Sequence, residues 1–224
     1  GGVDFQPQES GPFFTRLEAE LQAGRGEIGV VGALHGELAI FADRWVDLSG
    51  VDLGGVEVSE AFMELGRLGT DEQKYLPWMQ ANYVMAANRQ ALEYLPEGAD
   101  LDALTYEQLV EWAANVHEAT GQPRFGFPAG PQGLRHRFFQ GFLLPSFTGS
   151  TVTRFRSPEA EQAWELFKEL WQHTNPASTN YGFMQEPLLT GDVWIAFDHI
   201  ARLADAFNQR PDDFVAFPAP AGPV

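Results

Sequence analysis

The chain has 224 residues, of which 44% are apolar and 13% aromatic, so it is long enough to bury a sizeable hydrophobic core. Its 31 acidic residues outnumber its 14 lysines and arginines, and the net charge of −17 disfavours duplex nucleic acid and anionic membrane surfaces as partners, because both are polyanions. The absence of cysteine excludes disulfides, thiolate catalysis and cysteine-ligated metal sites.

The first part of the chain has the alternation of elements that is typical of α/β proteins. Residues 1–10 are interpreted as a strand, and apolar residues at helical spacing predict a helix from Pro12 to Gly24. The mostly apolar run 27–34 predicts a parallel strand, and an amphipathic segment follows at 35–41. This order predicts a parallel sheet with right-handed crossovers.

Two helices further along the chain have clear start signals. Thr105 and Gln108 form the pattern of a capping box, and the helix that they begin is predicted to end at Gly121. Ser157 is the predicted N-cap of a helix that runs to about His173, with a proline at its first position. The other expected elements are an extended segment at 75–88, strands at 124–128 and 214–218, and helices at 134–144 and 200–208.

Residues 181–199 carry the most informative pattern in the chain. They predict a short helix, a turn at Gly191, and an apolar strand that ends on Asp198 and His199. Apolar side chains alternate onto both faces of this strand, as expected where helices cover a sheet on two sides. Because ligands of open α/β sheets bind at the carboxyl ends of the strands, Asp198 and His199 are candidate binding residues.

Motifs for catalysis and cofactor binding give little support for an enzyme. The run 24–29 matches G-x-G-x-x-G, but a helix precedes it and a strand follows it, which is the reverse of a dinucleotide site. Asp198 and His199 would point to opposite faces of an extended strand, so no metal site is predicted there. We expect neither a cofactor nor a catalytic residue, although the many acids leave open a glycoside hydrolase that uses a carboxylate pair.

One segment departs from the acidic character of the chain. Residues 124–156 contain five arginines and no acid. These arginines either form salt bridges with acids elsewhere in the protein, or they form a basic patch that faces an anionic ligand. The sequence leaves both explanations open.

Five segments, in the same order, resemble a known family. Residues 13–31 resemble the family's helix, A-G-x-x-x-D turn and buried strand, and residues 83–92 resemble its Y-Y-N-K-x-x-F/L crossover. The run Leu104-Thr-Tyr-Glu-Gln-Leu resembles its P-x-T-W-D-E-L helix start, Pro187-Leu-Leu-Thr-Gly-Asp-Val resembles its F-x-x-G-x-A-A/V motif, and 214–222 resembles its P-x-P-x-G-P return strand. The chain thus resembles the family 1 extracellular solute-binding proteins, the sugar-binding components of bacterial ABC importers.

The chain departs from the family's pattern at three places. Arg89 replaces the usual lysine of the crossover, and Glu27 replaces the usual aspartate of the first-lobe strand. Asp198 and His199 replace the aromatic residue that often follows the last motif. This third departure puts a standard sugar-stacking contact in doubt and indicates a more polar ligand.

The resemblance implies an α/β, two-lobed periplasmic-binding-protein-like fold of type II that is incomplete in this chain, a fragment lacking both ends. Residues 1–83 would form part of the first α/β lobe, with 215–224 returning to it. Residues 84–214 would form a second, helix-rich α/β lobe. Strands missing from the fragment would leave apolar edges exposed.

The resemblance also implies a function without catalysis. The protein would bind a carbohydrate or carbohydrate-like solute in an interlobe cleft and deliver it to the permease of an ABC transporter, with hinge closure as its motion. Its partners would be a small-molecule sugar ligand and the transmembrane subunits of the permease, with no nucleic acid, and the full-length protein would be a monomer. It would be periplasmic or extracellular, its leader removed, and membrane-associated through a lipid anchor or the permease.

Nine residues are predicted to line the cleft because of their positions. His35 follows a first-lobe strand, Trp78, Gln80 and Asn82 lie at the crossover, and Tyr181, Gln185, Asp198, His199 and Arg202 surround the last predicted strand. Five of them have a structural alternative. Trp78 would lie in the core, Tyr181 would anchor a loop, Asp198 would pair with Arg202 four residues on, and His199 would begin a helix without touching a ligand.

Overall fold

The computed structural model describes residues 2–80, 82–131 and 133–224. The chain forms two compact units, Gly1–Gln80 and Ala81–Val224. The first unit consists of short helices and irregular chain, whereas the second unit contains a sheet covered by helices. The site residues expected near the end of the chain therefore lie in the unit that has the regular α/β structure.

The first unit is held by short helical segments. Helix α1 spans Ser10–Ala23 and ends at Gly24, as predicted. The later segments are α2 (His35–Leu38), which continues into a 3-10 turn at Ala39–Arg44, and α3 (Glu60–Leu65). The side chain of Gln73 is buried between the loops and donates to the carbonyl oxygens of Met63 and Tyr75, at 3.0 and 2.7 Å. These bonds satisfy a polar group that would otherwise be buried without a partner.

The strands expected at 1–10 and 27–34 do not form, so the parallel sheet predicted for this unit is wrong. Among the described residues of the first unit, none is in a strand. Val3 and Val30, which would be strand residues, are 93% and 92% exposed. A strand needs a neighbour that pairs with its backbone N–H and C=O groups, and the described residues of this unit supply none.

The second unit contains a four-stranded sheet in the order β2-β3-β1-β4. The strands are β1 (Tyr83–Asn88), β2 (Phe125–Gly126), β3 (Ile195–His199) and β4 (Phe214–Phe217). Strand β1 is antiparallel to both of its neighbours, whereas β2 and β3 are parallel. The sheet of the second unit is therefore mixed.

The helices of the second unit follow the start signals of the sequence. Helix α4 spans Tyr106–Thr120 and has the predicted capping box, in which the Gln108 N–H donates to the Thr105 hydroxyl at 3.2 Å. Helix α7 spans Pro158–Gln172, with Ser157 as its N-cap. The other helices are α5 (Arg135–Phe138), α6 (Leu144–Thr148), α8 (Gln185–Thr190) and α9 (Ile200–Gln209), and 3-10 turns span Arg89–Tyr94, Leu101–Ala103 and Pro176–Asn180.

Apolar side chains cover both faces of the sheet, as the pattern of β3 predicts. Ile195 and Phe197 belong to a large cluster with residues of α4, α6 and α7, whereas Ala196 belongs to a second cluster with residues of α8 and α9. Strand β1 alternates in the same way between Met85 and Ala86. Each fully buried side chain of the size of phenylalanine contributes about 1.5–3 kcal/mol, so these two layers hold β3 rigidly.

The helix expected at 134–144 is longer than predicted and contains a π segment. Five residues, Phe139–Leu143, connect α5 to α6 through i→i+5 hydrogen bonds. The pairs Phe138–Phe139 and Leu143–Leu144 are all buried, and they are spaced five residues apart. The wider turn brings both pairs to the interior, which a regular α-helix would not do with this spacing.

The tail of the chain continues the second unit. Strand β4 pairs with β1, with Phe217 opposite Met85, and Ala221 forms a parallel bridge with Thr105. The division expected from the sequence placed the boundary after residue 83 and returned 215–224 to the first lobe. In this chain the backbone groups of the tail pair with the second unit, and the division of the whole protein into lobes stays a prediction.

Candidate ligand-binding site

The candidate site lies at one edge of the sheet in the second unit. Strands β2 and β3 are parallel, with Phe125 opposite Ile195, so their carboxyl ends meet at the same edge. Strand β1 begins there, because Tyr83 is opposite His199. This edge is where α/β sheets bind ligands, and it includes the strand end that the sequence singled out.

Asp198 is completely buried at this edge. Its Oδ2 accepts the backbone N–H of Met184 at 2.8 Å, and its Oδ1 accepts the backbone N–H of His199 at 2.7 Å. Burial raises the pKa of the carboxyl group to about 6, although the two hydrogen bonds and the charge of Arg202 favour the ionised form. Asp198 therefore ties the end of β3 to the start of α8, and it has no exposed surface to offer a ligand.

His199 is half-buried and begins α9. Its Nδ1 accepts the N–H of Ala201 at 3.1 Å, and its ring lies edge-to-face against Tyr83, with the ring centroids 5.3 Å apart. Burial and the charge of Arg202 lower the pKa of His199. Because Nδ1 is an acceptor, the proton of the neutral ring lies on Nε2, which is then a donor for a ligand.

Arg202 lies one turn further along α9. One guanidinium nitrogen donates to the carbonyl oxygen of Gly182 at 3.1 Å, and the guanidinium carbon lies 4.5 Å from the centre of the Phe183 ring. The side chains of Arg202 and Asp198 form no contact ion pair in the part of the chain that the structure describes, although the charge of Arg202 favours the ionised form of Asp198. The bond to Gly182 and the ring of Phe183 fix the guanidinium beside an aromatic face.

Tyr181 and Gln185 flank the start of α8. The ring of Tyr181 is half-buried against the second cluster, and its carbonyl oxygen accepts the N–H of Gly130 at 2.9 Å. Burial, together with the charges of Asp192 and Glu186, raises the pKa of the Tyr181 phenol. The backbone bond matches the loop-anchor alternative, because it connects this segment to the loop that follows β2.

A pocket of about 560 Å³ lies beside this loop. Its lining residues are Ala129, Gly130, Pro131, Gly133, Arg135, His136 and Thr179. The loop backbone is folded closely on itself, since a Cβ atom at Gly133 would lie 2.1 Å from the carbonyl oxygen of Pro128. The sequence analysis did not select these residues, although Pro128-Ala-Gly-Pro131 and the basic segment were signals that could have found them.

The structure separates the five arginines of residues 124–156. Arg154 forms a salt bridge with Glu159 at 3.0 Å, and Arg124 donates to the carbonyl oxygen of Gly191 while its guanidinium lies 4.8 Å from the centre of the Trp194 ring. Gly191 has φ of +82° at this turn, a conformation that glycine adopts without strain. Within the described ranges, the other three arginines, 135, 137 and 156, have no acid within salt-bridge distance.

The remaining predicted residues lie on both sides of the boundary between the units. In the first unit, His35 is exposed, with its Nδ1 2.7 Å from the Tyr75 hydroxyl, and Gln80 is exposed. Trp78 is 77% exposed, so it is not a core residue. In the second unit, the carbonyl oxygen of Asn82 accepts the N–H of Ile200 at 2.9 Å, which joins the start of β1 to the start of α9.

Three general features of the described residues bear on function. A second, larger groove of about 680 Å³ lies between α4 and α7, away from the edge of the sheet, and four glutamates and one lysine line it. No group of three or more histidine, aspartate or glutamate side chains in the described part of the chain is arranged to hold a metal ion. No helix there is long and apolar enough to cross a membrane.

Solved structures resemble this chain along most of its length. The maltose-bound MalE3 of T. maritima has 20% sequence identity and a TM-score of 0.74, covering 97% of this chain and 59% of its own. The GacH receptor of Streptomyces glaucescens, solved without ligand and with acarbose, has 16% identity and a TM-score of 0.70, covering 94% and 56%. A solute-binding protein of an ABC transporter from Agrobacterium vitis S4, with D-mannitol bound, has 15% identity and a TM-score of 0.67, covering 96% and 56%.

This likeness confirms the expected fold class, a two-lobed solute-binding-protein fold that is incomplete here. The chain spans between 56% and 59% of the length of these three structures. A comparison with curated proteins found no match. The model of the family described as bacterial extracellular solute-binding protein matches residues 2–224, and the chain therefore belongs to that family.

Proposed function

We propose that the whole protein binds a carbohydrate or carbohydrate-like solute and delivers it to the permease of an ABC transporter. Membership of the extracellular solute-binding family supports this proposal. Proteins of the same fold have been solved with maltose, acarbose and D-mannitol, which are all sugars or sugar-like molecules. The ligand would bind in a cleft between the lobes of the complete protein.

The observation that carries the proposal is the sheet edge of the second unit. There His199 offers an Nε2–H donor beside the ring of Tyr83, and the Arg202 guanidinium lies against the ring of Phe183. Sugars need this combination, because their hydroxyl groups require hydrogen bonds while their C–H faces pack on aromatic rings. Such a pairing of aromatic faces with fixed polar groups suits a carbohydrate better than an apolar ligand.

We assign different roles to the predicted residues within this proposal. His199 and Arg202 would contact the ligand directly, and Tyr181, Gln185 and Asn82 would contribute from the same unit. We also propose His35, Trp78 and Gln80 of the first unit as ligand contacts of the whole protein, and the indole of Trp78 is exposed. Asp198 would act by fixing α8 rather than by touching the ligand.

A glycoside hydrolase is the alternative that the acidic composition left open, and we propose that the protein is not an enzyme. A hydrolase needs two carboxyl groups that face the scissile bond. Asp198, the carboxylate at the end of β3, is buried and bound to two backbone N–H groups, so it does not suit that role. Hydrolysis of aryl glycosides that is abolished by one carboxylate substitution would overturn the binding-protein proposal.

The same proposal includes the place and the partners of the protein. The family is extracellular, and we propose that the whole protein is a monomer held at the membrane through a lipid anchor or through its permease. The transmembrane subunits of the permease would be its protein partner. Nucleic acid would not be a partner, because the chain carries a net charge of −17.

The experiment that tests the proposal is a thermal-shift screen of mono-, di- and oligosaccharides on the full-length protein. A ligand at 100 times its Kd stabilises the native state by about 2.7 kcal/mol, which raises the melting temperature by several degrees. We expect at least one sugar to raise the melting temperature of the wild type, and we expect the same sugar to raise that of H199A by less. N208A, which changes an exposed residue near the other end of α9, is the control. The proposal fails if no carbohydrate or polyol raises the melting temperature.

A further inference from the structure

The loop and helix start that follow β2 carry a positive charge within a strongly acidic protein. Arg135, His136 and Arg137 are consecutive and exposed at the start of α5. The chain has 31 acids, yet none lies between residues 124 and 156. The field of this segment is therefore opposite in sign to the net charge of the protein, and it is local to one end of the sheet.

The positive charge at this place is not neutralised by the protein. Two arginines of the segment are engaged, Arg154 with Glu159 and Arg124 with a backbone carbonyl. Arg135 and Arg137 have no salt bridge to any described residue. His136 shows the effect of this charge, because burial, Arg137 and Arg135, in that order, lower its pKa.

Two of these basic side chains line the pocket beside the loop. Arg135 and His136 face its volume of about 560 Å³ together with Thr179, and the rest of the lining is small or apolar. Two backbone N–H groups of the lining are already used, since Gly130 donates to the Tyr181 carbonyl and Gly133 donates to the Gly130 carbonyl. Among the side chains of the lining, Arg135, His136 and Thr179 can donate to a ligand, and the strongest of these donors is the cationic guanidinium of Arg135.

These side-chain donors favour a ligand that carries a negative charge. A guanidinium binds a carboxylate or phosphate through two parallel, charge-assisted hydrogen bonds, which are about twice as strong as neutral ones. A neutral sugar would use the same donors less well, because it offers no negative charge to the guanidinium of Arg135. The volume lies within the range of about 300–1,000 Å³ that small-molecule sites occupy, so a sugar residue with its acidic group fits.

We propose that the solute is an acidic sugar, whose carboxylate or phosphate group is bound by Arg135 with His136 and Thr179 as further donors. This inference rests on the proposed function, since it names the class of sugar that the protein binds. It agrees with the more polar ligand that the sequence predicts from the departure at Asp198 and His199.

The test compares matched ligands on the full-length protein by isothermal titration calorimetry. The pairs are D-glucuronate with D-glucose, D-galacturonate with D-galactose, and D-glucose 6-phosphate with D-glucose. We expect the charged member of at least one pair to bind ten times more tightly or better. We also expect its affinity to fall when the NaCl concentration rises from 50 to 500 mM, whereas the affinity of a neutral sugar would not. Tighter binding of the uronates assigns a carboxylate as the ligand group, and tighter binding of the sugar phosphate assigns a phosphate.

Three variants locate the effect. R135Q should lose at least tenfold in affinity for the acidic sugar, and R135K, which keeps the charge but not the planar fork, should lose less. R156Q makes the same charge change at an exposed arginine that does not line the pocket, so it should stay within twofold of the wild type. Equal losses in R135Q and R156Q would overturn the pocket assignment.

The two proposals fail in different ways. If a neutral sugar binds as tightly as its acidic partner, the inference about charge is wrong while the proposed function stands. If neither neutral nor acidic sugars bind, the proposed function itself fails. A further readout is the NMR titration of His136, because an anion beside the ring should raise its pKa, and an unchanged titration on binding of the acidic sugar contradicts the placement.

Discussion

Replacement of Asp198 by asparagine should change how the stability of the protein depends on pH. Burial raises the pKa of this carboxyl group from 3.8 to about 6. Each unit of pKa corresponds to about 1.4 kcal/mol, so ionising Asp198 in the folded protein costs about 3 kcal/mol more than in the unfolded chain. The folded state binds more protons than the unfolded state in this range, so the stabilisation is complete below pH 3.8 and is lost as the pH rises through about 6.

The assay is urea denaturation of the full-length protein at pH 4 and pH 7, followed by tryptophan fluorescence. From pH 4 to pH 7, the free energy of unfolding of the wild type should fall by about 2–3 kcal/mol more than that of D198N, because asparagine does not titrate. A constant difference between the two proteins is also expected, since asparagine keeps only one of the two acceptor oxygens that bind the N–H groups of Met184 and His199. Only the pH-dependent part of the difference in unfolding free energy between the two proteins reports the titration of the buried carboxyl group.

D205N is the matched control, because Asp205 lies on α9 and its side chain is exposed. The free energy of unfolding of D205N should equal that of the wild type at both pH values, within the error of the fit. If D198N and the wild type differ by the same amount at pH 4 and pH 7, Asp198 does not titrate with a raised pKa. The burial argument for its role would then be wrong.

Three further predictions concern the core, the pocket loop and a histidine pair. Trp112→Ala should lower the free energy of unfolding, measured by urea denaturation, by about 3–5 kcal/mol, because the indole is fully buried and its N–H donates to a backbone carbonyl at 2.7 Å. Trp112→Phe should lower it less, and equal losses in the two variants would refute the argument. Gly133→Ala should weaken sugar binding and lower the melting temperature, because the added Cβ would lie 2.1 Å from the carbonyl oxygen of Pro128. Gly141→Ala, where a Cβ meets no atom within 4 Å, should do neither, and similar effects of the two substitutions would contradict the reasoning. Burial and His117 lower the pKa of His173, so the contribution of this histidine to stability should fall as the pH drops through 6.5. In thermal melts, His173→Gln should therefore gain melting temperature relative to the wild type at pH 5 compared with pH 7, and an equal difference at both pH values would contradict the shift.

The elements that were predicted well are those with local signals. Ser157 accepts the N–H of Ala160, and the helix after it begins where the cap predicts, because the cap and the first turn are neighbours in sequence. Gly191 ends α8 in the same way. The strand expected at 27–34 has a suitable apolar pattern, but a strand forms only when a distant segment pairs with it, and the pattern does not contain that partner.

The candidate site was predicted in position but not in detail. The strand end at His199 was found because apolar alternation stops there, and the sheet places it at the ligand-binding edge. The burial of Asp198 could not be predicted, because it depends on the N–H of Met184 fourteen residues earlier in the chain. Arg135 was seen only as one of a group of arginines, since the pocket that it lines forms from a loop and a 3-10 turn that are distant in sequence.

The π segment at Phe139–Leu143 has a consequence for how this chain tolerates insertions and deletions. Removal of one residue there would restore i→i+4 bonding and rotate α5 by about 100° relative to α6, although both helices have side chains in the large cluster. Arg135 and His136 would then turn away from the pocket without any substitution in its lining. The loss of a single residue in this helix would thus change the charge of the pocket lining as well as the packing of the core.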